Sequence, residues 1–135
     1  MDHAPALNRV LDALIPASDP DYVPTSDELY DAFTQWADST GRPLYPHQEE
    51  SLLSIVEGEH VVAATPTGSG KSMIALAAHF TSLARGERSY YTAPLKALVS
   101  EKFFELIRLF GAQNVSRVIL RLTLTLPLFA APPRF

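Results

Sequence analysis

The sequence predicts an α/β fold: a parallel sheet with flanking helices, incomplete at this length and preceded by an N-terminal helical segment. Three observations predict it. Residues 60 to 72 read His-Val-Val-Ala-Ala-Thr-Pro-Thr-Gly-Ser-Gly-Lys-Ser, a short apolar run that empties into a glycine-containing turn. An apolar helical pattern follows from Met73, and a second β-prone run, Ser89 to Ala93, precedes a second amphipathic pattern at Lys96 to Phe110. Strand, helix, strand, helix implies parallel strands joined by right-handed crossovers. Such a sheet needs several strands and cover on both faces, which two strands cannot supply.

Composition narrows the class further. A chain of 135 residues holds one domain at most. With 47% apolar and 19% charged residues it belongs with globular rather than disordered chains. The net charge of -4 hides an asymmetry, because acids crowd the first forty residues while Leu106 to Phe135 holds only Arg108, Arg117, Arg121 and Arg134 as charges. The absence of cysteine excludes a disulfide framework and a thiolate metal site. Met-Asp-His-Ala-Pro at the start lacks a basic segment followed by an apolar core, so export is not expected, and the longest apolar run, Val118 to Ala131, is too short to span a bilayer and contains Arg121 and Pro127. The expectation is a cytoplasmic protein with no membrane partner.

In chain order, Leu7, Val10, Leu11, Leu14 and Ile15 recur at helical spacing, so residues 4 to 15 are expected to form a docking helix stopped by Pro16. Residues 16 to 25, with three prolines and two aspartates, read as a linker. A second helix is expected from an N-cap at Ser26, with Asp27 and Glu28 in its first turn, Leu29, Phe33, Trp36 and Ala37 turned inward, and an end at Gly41. Pro46 suits the first turn of a third helix, to about Glu57, with Leu52, Leu53 and Val56 on one face and Gln48 at its start. Val61 to Ala64 then reads as the central strand. Met73, Ile74, Leu76, Ala77, Ala78 and Phe80 give an apolar helix ending near Arg85 and Gly86. Ser89 to Ala93 reads as the second strand, and the last helix, Lys96 to Phe110, is expected to bury Leu98, Phe103, Leu106, Ile107 and Phe110 before Gly111.

Gly68, Gly70, Lys71 and Ser72 match the second half of the phosphate-binding loop G-x-x-x-x-G-K-[ST]. Glycines let backbone amides curl around a phosphate, a lysine neutralises the β/γ charge, and a serine hydroxyl ligates Mg²⁺. Thr65 stands where the general pattern has its first glycine.

Three segments together carry a family resemblance: Leu44-x-Pro46-His47-Gln48, then Thr65-Pro66-Thr67-Gly68-Ser69-Gly70-Lys71-Ser72, then Thr92-Ala93-Pro94-Leu95-Lys96-Ala97-Leu98 with Glu101-Lys102 after. In order and spacing these resemble the glutamine-containing upstream motif, motif I and motif Ia of superfamily 2 helicases of the DEAD/DEAH-box type, over about residues 42 to 115. In that family the first loop position is commonly Ala, so Thr65 is a mild departure. The resemblance implies an incomplete RecA-like P-loop NTPase domain, the first motor domain of such an enzyme. It implies that Gln48 reads the adenine edge, that Thr65, Pro66, Thr67, Gly68, Ser69, Gly70, Lys71 and Ser72 hold ATP, and that Ser72 ligates Mg. It also implies that Pro94, Leu95 and Lys96 touch a single-stranded segment of RNA or DNA. The residues themselves leave alternatives open. A Gln near a helix start also caps, Lys96 and Lys102 are either phosphate contacts or solvated, and Tyr45, Phe33 and Trp36 either stack on a base or pack in a core.

Phosphoryl transfer further needs a second acidic Mg²⁺ ligand and a group that orients the attacking water, supplied in these motors by an Asp-Glu box on a later strand. After Lys71 the only acids are Glu87, Glu101 and Glu105, none ending an apolar strand. Arginine fingers and a second motor domain are also missing from these residues. The expectation is ATP binding without useful turnover by this chain alone, with no catalytic residue assigned; the alternatives are an inactive remnant and a non-motor P-loop NTPase. Residues 1 to 41 are expected to form the helical extension, 42 to 115 the partial nucleotide domain and 116 to 135 an atypical apolar tail. That tail is compatible with a frameshift near Asn114 to Arg117, since its codons read one base out of register can spell a helicase-like continuation. The competing expectation is an edge strand, because Leu120, Leu122, Leu124 and Leu126 alternate with Arg121, Thr123 and Thr125.

Overall fold

The computed structural model describes residues 6–63, 68–91 and 96–115. Those residues form five helices of two turns or more: α1 (Leu7–Leu14), α2 (Ser26–Ser39), α3 (Pro46–Val56), α4 (Gly68–Ala84) and α5 (Lys96–Phe110). The chain divides into two compact units, Met1–Glu87 and Arg88–Phe135.

In the first unit α2 packs on α1, α3 and α4, and α4 also meets α1 and α3. The sequence dictates which faces meet. Leu29, Phe33, Trp36 and Ala37 of α2 are all buried, as the helical period requires, together with Leu7 and Leu11, Leu52 and Val56, and Leu76, Ala77, Phe80 and Ala84. Phe33 is the hub: its ring centroid lies 5.4 Å from Trp36 and 5.5 Å from Phe80, both tilted, the arrangement aromatic quadrupoles favour. Phe33 and Trp36 are therefore core residues.

The helix ends explain how the cluster is fixed. The N-cap of α2 is Thr25, one residue before the expected Ser26: the Glu28 amide donates to Thr25 Oγ1 at 3.2 Å and the Thr25 amide donates back to Glu28 Oε1 at 2.9 Å. This reciprocal box satisfies two donors at once. The Tyr22 hydroxyl donates to the same carboxylate, tying the preceding linker to the helix. The Thr25 amide first, and the Tyr22 hydroxyl next, hold the Glu28 carboxyl below its ordinary range, while that same bond pushes the Tyr22 phenol up. Ser26 is thereby released for another role. Its Oγ donates to the Val56 carbonyl at 2.9 Å, and Arg85 Nη2 donates to that carbonyl and, at 3.4 Å, to Ser26 Oγ. One orphan carbonyl at the end of α3 thus ties together the start of α2 and the end of α4. Past it, Gly58 takes φ 83 and its amide bonds Ile55 O, a left-handed step that only glycine makes cheaply.

The parallel sheet expected from sequence is not present: among the described residues there is no strand and no ladder. Residues 59–63 and 87–91 carry no regular structure, Val62 is 96% exposed and Tyr90 50% exposed. The reason is physical. Valine and tyrosine favour strands because they fit a pleated, half-buried surface, not because their backbones are extended in isolation. Smaller corrections concern faces. Leu53 is 47% exposed, since it lies a sixth of a turn or more off the stripe set by Leu52 and Val56.

In the second unit, α5 ends at Gly111, where φ is 89, and a helical turn at residues 112–115 follows. Asn114 Nδ2 donates to the Phe110 carbonyl at 3.0 Å, satisfying one of the last-turn acceptors. Leu106 and Phe110 are buried as expected, but Leu109 is buried where Phe103 and Ile107 were expected and are only half-buried. The side chain of Leu98 and all of residues 116–135 lie outside the described residues. No helix among the described residues is long and apolar enough to cross a membrane.

Candidate nucleotide-binding site

The site is assembled from the starts of two helices in the first unit. Pro46 opens α3 in the position where its missing amide costs nothing. Its N-cap, Tyr45, makes no side-chain cap bond, and Gln48, three residues on, takes over: Oε1 accepts from the Tyr45 amide at 2.8 Å, and the Gln48 amide donates to Tyr45 O at 2.9 Å. Gln48 is only 6% exposed. Its other end reaches across to α4, where Nε2 donates to the Gly70 carbonyl at 3.4 Å. The glutamine therefore does cap, and in addition it links the upstream motif to the glycine-lysine-serine segment 22 positions later. An amide has two further hydrogen-bonding positions, one lone pair and one N–H, beyond the two used here.

That segment is helical. The sequence reading began the helix at Met73, whereas α4 starts at Gly68, so Gly68, Ser69, Gly70, Lys71 and Ser72 make up its first turn and a little more. The consequence is electrostatic. The first four amides of a helix have no partner within it, and the aligned peptide dipoles place partial positive charge there, the arrangement that receives phosphate. Gly70 is buried, Lys71 is exposed and Ser72 is partly exposed. Gly70 sits where its carbonyl meets Gln48, and the next residue projects a cation to solvent at the same helix end. Among the described residues no group of three or more His, Asp or Glu side chains is placed to hold a metal ion.

Thr65, Pro66 and Thr67 lie outside the described residues, and so do Pro94 and Leu95; Lys96 is the first residue of α5. Lys102, for which the sequence leaves a phosphate contact and a solvated side chain open, is paired within the protein. Its Nζ pairs with Glu105 Oε1 at 2.8 Å and stands 5.8 Å from the Tyr91 ring centroid, with its side chain 15% exposed. Tyr45 is 65% exposed and stacks on His47 with centroids 6.0 Å apart and planes 9° from parallel, so it is not a core residue. Of the two partners of Gln48, only the Gly70 carbonyl escapes a reading of the sequence. The Gly70 carbonyl carries no sequence signal, whereas Gln at the third helical position is one, because it is the acceptor half of a capping box even with tyrosine as the cap.

Comparison with known proteins gives this arrangement a context. Residues 45–125 match the family model for the DEAD/DEAH box helicase, more than half of the chain. An ATP-dependent DNA helicase Hel308 from Thermoplasma acidophilum is 42% identical over 78 residues, 58% of this chain and 12% of that protein. The DExH-box ATP-dependent RNA helicase DExH15, chloroplastic, from Arabidopsis thaliana is 44% identical over 68 residues, 50% of this chain and 6% of that protein. A Hel308 from Pyrococcus abyssi is 48% identical over 64 residues, 46% of this chain and 9% of that protein. The chain thus spans about a tenth of the length of these relatives. No solved structure matches it.

Proposed function

This chain belongs to the DEAD/DEAH box helicase family, and from that premise we propose that it binds ATP with Mg²⁺ through Gln48 and residues Thr65 to Ser72 and contacts a single-stranded nucleic acid through Pro94, Leu95 and Lys96. The observation that carries the nucleotide part is the hydrogen bond from Gln48 to the Gly70 carbonyl, which joins the two motifs into one site.

The residues fit the group. A phosphate at the start of α4 meets helix amides and dipole, the exposed Lys71 neutralises its charge, and the Ser72 hydroxyl is of the type that ligates Mg²⁺. Gln48 fixes the Gly70 carbonyl and keeps one donor and one acceptor position for an adenine edge. Bound Mg–ATP would supply the phosphoryl group for hydrolysis. This chain's own residues supply binding and orientation: the acids after Lys71 are Glu87, Glu101 and Glu105, and none reads as the paired box that ligates the metal and positions water. The proposed behaviour is binding without stimulated turnover by the chain alone.

The relatives are named for DNA in some cases and RNA in another, so the strand proposed here is a single strand of either kind. For the tail, a frameshift requires that a shifted frame of the gene continue with helicase-like sequence; the family match already runs ten residues past 115, to 125. An intact stop with no such continuation in either shifted frame refutes it.

The test is fluorescent-nucleotide titration of the full chain against Lys71→Ala, followed by hydrolysis assays with single-stranded DNA and RNA. Losing one charged contact to phosphate should weaken binding about ten- to a hundredfold. Equal binding by Lys71→Ala refutes the site, and robust strand-stimulated turnover refutes the proposed division between binding and hydrolysis.

A further inference from the structure

The second unit contains a lysine whose surroundings do not fit the role its motif neighbourhood suggests. Lys102 lies in the second turn of α5, close behind Lys96, where a phosphate contact would be a natural reading. Its ammonium is nevertheless committed within the protein: Glu105 Oε1 is 2.8 Å away, the Tyr91 ring centroid 5.8 Å away, and only 15% of the side chain is exposed. A cation paired to a carboxylate and set over an aromatic ring must give up both to meet a phosphate. Arg108 in the same helix is exposed, so α5 does display a cation where nothing masks it.

Tyr91 is the informative partner. It immediately precedes the Thr92 to Leu98 motif in sequence, and Lys102 follows that motif from within α5, so the contact joins two residues that flank the motif along the chain. We propose that Lys102 is a positioning residue: its ammonium, oriented by Glu105, pins the Tyr91 ring to α5, the helix on which Lys96 of the proposed strand contact lies, so that strand binding depends on this contact. The inference rests on the reading that Pro94 to Lys96 contact a strand, and it assigns Lys102 no phosphate of its own.

The experiment uses the full chain with Lys102→Met, which keeps the aliphatic stem and removes the charge, alongside Lys102→Arg and Tyr91→Leu. Binding of a fluorescent oligothymidylate is measured across a salt series. Lys102→Met and Tyr91→Leu should each weaken binding about two- to fivefold, the double variant no more than either, and Lys102→Arg should restore it. The slope of log K against log salt should stay at the wild-type value, because no phosphate contact is lost. A slope shallower by about 0.7 in Lys102→Met would mark a phosphate contact and overturn the proposal. Hydrogen exchange supplies a readout that needs no nucleic acid: amides of residues 90–97 should exchange faster in both single variants. Unchanged exchange in Lys102→Met overturns the clamp whatever the binding result. Failure of the wild-type chain to bind any strand overturns the reading of Pro94 to Lys96 and leaves the clamp to be decided by exchange.

Discussion

Gln48→Leu is the substitution that tests whether the two helix starts are truly coupled. Leucine matches the volume and the burial of the site but removes both polar ends, so the Tyr45 amide loses its acceptor and the Gly70 carbonyl its donor. The first loss resembles removal of a cap, about 1 kcal/mol with a range to about 2. The second bond is at 3.4 Å, near the limit of useful geometry, and contributes less, about 0.5 kcal/mol. Burying leucine in place of an amide recovers part of this, which leaves a net destabilisation of about 1 kcal/mol. At a typical urea dependence of about 1–3 kcal/mol/M, the unfolding midpoint should fall by roughly 0.3–1 M with an unchanged slope. Nucleotide affinity should fall in the same variant, measured well below its midpoint, because the carbonyl of Gly70 is no longer held. An unchanged midpoint would show that the two hydrogen bonds carry no stability. A lowered midpoint with wild-type nucleotide affinity would refute the coupling of α3 to the phosphate site.

Other outcomes follow from the same structure. Phe80→Ala should cost about 3–5 kcal/mol and, in a domain of ordinary marginal stability, largely unfold the first unit, as read by circular dichroism; the ring is fully buried against Phe33. Arg85→Met should destabilise by about 1 kcal/mol and not more, since the Val56 carbonyl keeps the Ser26 hydroxyl as donor; a double cycle with Ser26→Ala should show coupling, and strict additivity would refute the shared acceptor. The Glu28 carboxyl is held low in the fold, so its contribution is present above the unfolded-state pKa and is lost as pH falls through the folded one. The stability gap between wild type and Glu28→Gln should therefore close on acidification. Tyr22 is raised, so the gap between wild type and Tyr22→Phe should persist below pH about 10 and close as pH rises through the folded value; thermal melts across pH check both signs.

What the sequence made legible was whatever depends on near neighbours along the chain. The buried stripe of α2 follows from a 3.6-residue period, and all four of its expected core residues are buried. The one-residue error at its start has an identifiable cause. Thr25 and Ser26 are both good caps, and only the spacing Thr25-x-x-Glu28 distinguishes them, because the box needs its carboxylate at the third helical position. The strands failed for the opposite reason. A strand is defined by partners distant in sequence, and Val61, Val62, Tyr90 and Tyr91 supply propensity without supplying those partners. Lys102 shows the same limit for a side chain, since its sequence neighbours suggest solvent or phosphate while Tyr91, eleven positions earlier, is what it meets.

Gln48 falls between these cases, and the reason bears on the site. Its cap to Tyr45 is local and was legible as an alternative, while its bond to Gly70 is not local and was not. The two bonds use opposite ends of one amide, Oε1 for the Tyr45 amide and Nε2 for the Gly70 carbonyl, and so coexist. Capping fixes the side chain at the start of α3. Only a side chain fixed there can present Nε2 to Gly70 without losing rotamer freedom at the moment of binding, an ordering cost otherwise of up to about 2 kcal/mol for a glutamine. The cap is thus what makes the link to α4 inexpensive, and a variant that weakens the cap, such as Tyr45→Pro, which removes the amide donor together with the exposed ring that stacks on His47, should loosen the phosphate site while leaving Gly70, Lys71 and Ser72 unsubstituted. Nucleotide titration of Tyr45→Pro measures that effect, and wild-type affinity in a folded variant would show that Gln48 needs no cap to serve the site.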